Sequence, residues 1–93
     1  MLTYTDLQRL RLPEYFRALC DQHNRREFTL ISKSRRWTVE YSNGFFAGVG
    51  WKSFVQAHDL STYHTLVINP NVHIEFRIMV FDPNNCERIY SWY

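Results

Sequence analysis

Along residues 36–41, Trp37, Val39 and Tyr41 alternate with Arg36, Thr38 and Glu40; along 73–81, Ile74, Phe76, Ile78 and Val80 alternate with His73, Glu75, Arg77 and Met79. A period of two puts the apolar side chains on one face, the pattern of a strand buried on one side. Residues 27–32 and 65–68 read as shorter strands, 2–5 and 9–12 as strands near the N-terminus, and 88–93 as a last edge strand. Asn43-Gly44 lies between two apolar runs and suits the positive φ pair of a tight hairpin, so 37–42 is expected to fold back on 45–47.

Two segments switch to helical spacing. Pro13 suits a first helical position, Glu14 complements the helix dipole, and Tyr15, Phe16, Leu19 and Cys20 supply the buried stripe of a helix over 13–20. Trp51, Phe54, Val55 and His58 form one face of a second helix over 51–58, with Gly48 and Gly50 breaking the strand before it. Many short strands with two short helices predict a mainly β fold, closed or nearly closed into a barrel, because closure removes the exposed edges of a small sheet.

Composition sharpens this picture. The chain has 93 residues, 45% hydrophobic and 17% aromatic, enough for one domain with one modest core. No apolar run approaches the roughly 20 residues of a membrane span, and the first residues, MLTYTDLQRLR, lack the apolar stretch of a secretory signal. Two cysteines, Cys20 and Cys86, are expected to be reduced in an intracellular protein. The net charge is +2, but residues 1–47 carry eight basic and five acidic side chains against three and four in the remainder. Nine of the eleven basic residues are arginine, whose planar fork suits bidentate recognition of phosphate or guanine.

Catalytic signatures are missing. There is no G-x-x-x-x-G-K, G-x-G-x-x-G or G-x-S-x-G. Gly44, Gly48 and Gly50 precede a helix whose N-terminus is a candidate phosphate seat, with a plain strand-to-helix connection the favoured reading. Cys20 and His23 form C-x-x-H without a second pair nearby, so no metal, cofactor or enzymatic activity is expected. His58 and His64 read as a helix-face and a turn residue.

Five elements then occur in order: R-L-x-L-P-x-Y-F from Arg9, R-W-T-V from Arg36, F-x-x-G-V-G-W-K-S-F from Phe45, H-D-L from His58, and a strand ending V-F-D at Asp82. Together they resemble the plant-specific B3 DNA-binding domain over roughly residues 5–82, and P-N-N-C-E from Pro83 looks like the reproductive-meristem branch. The resemblance implies a seven-stranded open β-barrel (a pseudobarrel) with two short flanking α-helices, acting in the nucleus as the DNA-binding module of a plant transcription regulator. It implies double-stranded DNA as partner, bound in the major groove by two arms: the loops between the first two strands and between the fourth and fifth. These map onto residues 6–11 and 41–45, with Gln8, Arg9, Arg11, Tyr41, Ser42, Asn43 and Gly44 as the DNA-binding candidates.

The chemistry of those residues fits. Gln8 suits adenine and Arg9 guanine; Arg11 suits a phosphate or caps the barrel; Ser42 and Asn43 can donate to bases or phosphates; Gly44 allows close backbone approach. Arg9 is equally placed for an ion pair with Asp6, and Tyr41 is favoured as barrel-rim padding. Lys33 and Arg35 fall at the opposite end of the hairpin and read as surface charge. The arms are shorter than is usual for the family, Glu40 is close to the second, and L-S-T-Y-H replaces the family's G-D after the second helix. The alternative reading is therefore a B3-like protein-interaction module with weak or lost DNA affinity. Neither reading involves a membrane or a small-molecule substrate.

Overall fold

The computed structural model describes residues 2–71 and 75–93. Its elements run α1 (Tyr4–Gln8), β1 (Leu10–Arg11), α2 (Glu14–His23), β2 (Glu27–Ser32), β3 (Arg35–Ser42), β4 (Phe45–Ala47), α3 (Gly48–Ala57), β5 (Thr65–Pro70) and β6 (Glu75–Phe81). One six-stranded sheet, in the order β1-β4-β3-β2-β6-β5, curls into an open half-barrel. All neighbours are antiparallel except β2 and β6.

The period-two strands form where the alternation places them. On β3, Val39 and Tyr41 are buried and Trp37 is half-buried, all on the inner face; on β6, Phe76, Ile78 and Val80 are buried. His73 and Ile74, the expected start of that strand, lie outside the described residues. Inside the curl, Phe28, Tyr41, Phe46 and Phe76 meet mostly edge-to-face at 5.7–6.1 Å between ring centres. α2 covers this cluster through Phe16, edge-on to Phe76, and fully buried Cys20. α3 covers the Trp37 end with Trp51 and Phe54. A Cβ at Gly50 would overlap the Thr38 carbonyl, so glycine here lets α3 lie directly on β3.

Four expectations are corrected. Residues 2–5 are not a strand: Thr3 Oγ1 accepts from the Asp6 N–H, and Asp6 Oδ2 accepts from the Thr3 N–H at 2.9 Å. This reciprocal capping box starts a helix, α1, in place of the expected strand. Residues 88–93 form no strand either. After a single bridge between Phe81 and Glu87, the segment lays Tyr90, Trp92 and Tyr93 across the barrel end. These two changes leave six of the eight strands read from the residue pattern, one fewer than the seven the resemblance implies, among the described residues. α3 begins at Gly48, so the two glycines open the helix rather than merely ending β4. α2 runs three residues beyond Cys20 to His23, capped by Asn24 in the left-handed conformation (φ 51°), and Tyr15, expected in its buried stripe, is 68% exposed.

Candidate nucleic-acid interface

The second arm is a two-residue turn. Ser42 pairs with Phe45, and Asn43 (φ 50°) and Gly44 (φ 87°) both take the left-handed conformation that such a turn requires. With six strands it connects β3 to β4. The first arm is no free loop: residues 6–8 belong to α1, Arg9 caps it, and Leu10 and Arg11 form β1.

β1 pairs with β4, placing Arg11 beside Phe45 and Leu10 beside Phe46, while the Leu12 N–H donates to the Gly44 carbonyl at 2.9 Å. The Arg9 guanidinium sits 4.3 Å from the centre of the Phe45 ring. It does not pair with Asp6, whose carboxylate is taken by Thr3. The sheet therefore brings the arms to one edge, where Gln8, Arg9, Arg11, Ser42 and Asn43 are all exposed.

Two candidates have different surroundings. Tyr41 is only 8% exposed, packed on Phe28 and Phe46, and its hydroxyl donates to Asp21 Oδ1 at 2.6 Å. Burial, followed by the hydrogen bond to Asp21, pushes its pKa up to about 12. Tyr41 thus fastens α2 to β3 beneath the arm and is withdrawn from any base. Gly44 is buried under Arg17: a Cβ there would lie 2.9 Å from Arg17 Cδ and 3.3 Å from its guanidinium carbon. The backbone at Gly44 is approached closely, but by this chain's own arginine.

Arg17 is the residue the sequence reading missed. It is exposed on α2, 27 positions before Gly44, and only the docking of α2 on β3 brings it to the hairpin. The turn from α2 into β2 reaches the same end: Arg26 O accepts from the Tyr41 N–H at 2.7 Å, and Arg25, Arg26, Glu27, Glu40, Tyr41 and Ser42 line an open groove of about 830 Å³.

A family model described as the B3 DNA binding domain matches residues 2–84. The chain belongs to the B3 DNA-binding domain family. B3 relatives in rice (Oryza sativa subsp. japonica) include B3 domain-containing protein Os11g0197600, 28% identical over 96 residues covering 99% of this chain. Another, B3 domain-containing protein Os03g0212300, is 34% identical over 88% of this chain. The chain spans 24% and 33% of their respective lengths. The solved structure of the hypothetical Arabidopsis thaliana protein At1g16640.1 shares the fold, with a TM-score of 0.71 at 22% identity, covering 92% of this chain and 88% of that one.

The family model is that of a DNA-binding domain, and this B3 domain also assembles a serine–histidine pair. His58 Nε2 lies 2.8 Å from Ser32 Oγ, and Nδ1 lies 2.8 Å from the Phe54 carbonyl. Both residues are fully buried under Tyr90 and Trp92, so the pair is structural. His58 lies in the core on the face that carries Trp51 and Phe54, as the helical spacing predicts, while His64 follows a turn as expected. Cys20 is buried, its thiol pushed up to about 12 by desolvation and then by Asp21, whereas His23 is exposed, so the C-x-x-H pair diverges. Among the described residues no three His, Cys, Asp or Glu side chains converge as metal ligands, and no helix is long and apolar enough to cross a membrane. The start of α3 is no open phosphate seat: the Glu40 carboxylate lies against Gly48.

Proposed function

We propose that residues 1–93 act as one unit that binds double-stranded DNA sequence-specifically through the major groove, as the nuclear DNA-binding module of a plant transcription regulator. One observation supports the reading: β1–β4 pairing sets Arg9 and Arg11 beside the Ser42–Asn43 turn, so side chains whose chemistry suits bases and phosphates share one exposed edge. Gln8 and Asn43 have amides for adenine, Arg9 has the fork for guanine, and Arg11 and Arg17 have charge for phosphates. An exposed apolar patch around Phe45, Phe46 or Trp92 would favour the protein-interaction alternative. Phe46 is buried, Phe45 lies under Arg9, and Trp92 is packed into the barrel end, which favours DNA.

Selection from random duplexes at low salt, followed by titration of the selected site, tests this reading. The expected result is an enriched motif with micromolar or tighter affinity that weakens steeply with salt. Enrichment of no sequence, with no binding at tens of micromolar, would refute it.

A further inference from the structure

We propose that Arg25 and Arg26, on the turn between α2 and β2, form a third phosphate-contacting arm beside the two that the family resemblance implies. This rests on the DNA-binding reading above and extends it to residues that neither arm contains.

The turn has a defined seat. Asn24 ends α2 in the left-handed conformation, its N–H donating to the Asp21 carbonyl at 3.2 Å, and the chain reverses. The Arg26 carbonyl then accepts from the Tyr41 N–H, one residue before Ser42, so the turn is fixed to the strand that carries the second arm. Both arginines are exposed, and among the described residues neither makes a salt bridge. The Arg25 guanidinium rests over the edge of the core at 5.7 Å from the Phe28 ring centre.

The groove beside them has a charge pattern that restricts where an anion can go. Glu27 and Glu40 stand opposite each other across β2 and β3, and both line the groove with Arg25 and Arg26. Facing carboxylates repel each other and any phosphate that comes near. A duplex backbone leaving the arms is thus kept off the carboxylates and held at the rim by the two guanidinium groups. Contacts of this kind add affinity and register without reading bases.

The test compares wild type with Arg25→Ala/Arg26→Ala and Arg25→Lys/Arg26→Lys on the selected duplex and on a random-sequence pool. Affinities are measured from 50 to 200 mM salt, with thermal unfolding as the control for folding. Each phosphate contact contributes about 0.9 to the slope of log affinity against log salt. The alanine pair is expected to lower the slope by about 1.8, so wild type loses about twelvefold more affinity across that range. The lysine pair keeps the wild-type slope, and the base preference is the same in all three. A wild-type slope in the folded alanine pair overturns the third arm and leaves the two-arm reading intact; so does an altered base preference. Absence of wild-type binding to any duplex overturns the two-arm reading and, with it, this one.

Discussion

His58 gives the domain its clearest pH signature. It is fully buried, stacked 4.0 Å from Phe54, and ringed by Trp37, Tyr90 and Trp92. With Nδ1–H donating to the Phe54 carbonyl, Nε2 is left to accept from the Ser32 hydroxyl, an arrangement that holds only for the neutral ring. Desolvation lowers its pKa from the ordinary 6.5; the Phe54 carbonyl opposes that shift, and Arg88 reinforces it. Below pH 6.5 the unfolded chain takes up a proton that the folded one refuses. Stability from this group is therefore full above about pH 7 and falls as pH drops below 6.5, toward a limiting slope of about 1.4 kcal/mol per pH unit. Urea unfolding at pH 7, 6 and 5 is expected to show this loss in wild type and a flatter dependence in His58→Gln. Parallel profiles for the two proteins would show that His58 titrates alike in both states.

At the scale of elements, the C-terminal segment does what an edge strand was expected to do, by another route. The Trp92 indole N–H donates to the Ser32 carbonyl at 3.0 Å, its ring packs on Trp37 and Tyr90, and the Tyr90 hydroxyl donates to the His58 carbonyl at 2.9 Å. Side chains rather than a backbone ladder close the barrel end. Trp92→Ala is expected to cost about 2–3 kcal/mol in chemical denaturation, less than a fully buried tryptophan because Trp92 is half-exposed; a loss under 0.5 kcal/mol would show that the segment is not docked. In the sequence this segment shows only a short run rich in aromatics, which does not distinguish an edge strand from an aromatic strap. β3 and β6 were legible because one face of each is buried, and the Asn43-Gly44 hairpin because few dipeptides accept two positive φ values. α1 was misread although Thr3-x-x-Asp6 was in view, because a helix of five residues has too few positions to show periodicity. The place of Arg17, Arg25 and Arg26 beside the hairpin depends on how α2 docks, which no local sequence pattern encodes.

The whole molecule has two basic ends, and they are not equivalent. Arg9, Arg11, Arg17, Arg25 and Arg26 gather at the end bearing the Asn43-Gly44 turn. Lys33 and Arg35 lie at the other end of β3, where Arg35 sits 4.8 Å from the Trp92 ring and Lys33 sits 5.5 Å from the Tyr93 ring. Eight strand residues separate the ends, roughly 25 Å at strand rise, in a molecule 35 Å along its longest axis. At 0.1 M salt a charge is felt over about 10 Å, so on the proposed reading a duplex at the arms would be screened from the far end. Arg9→Ala is therefore expected to cost about 1–3 kcal/mol of binding and to relax preference at one base. Lys33→Ala/Arg35→Ala removes twice the charge, yet at 0.1 M salt it is expected to change affinity by less than about twofold. Fluorescence anisotropy on one selected duplex compares the two directly. Equal losses would mean that net charge, and not the geometry of the arms, holds the DNA.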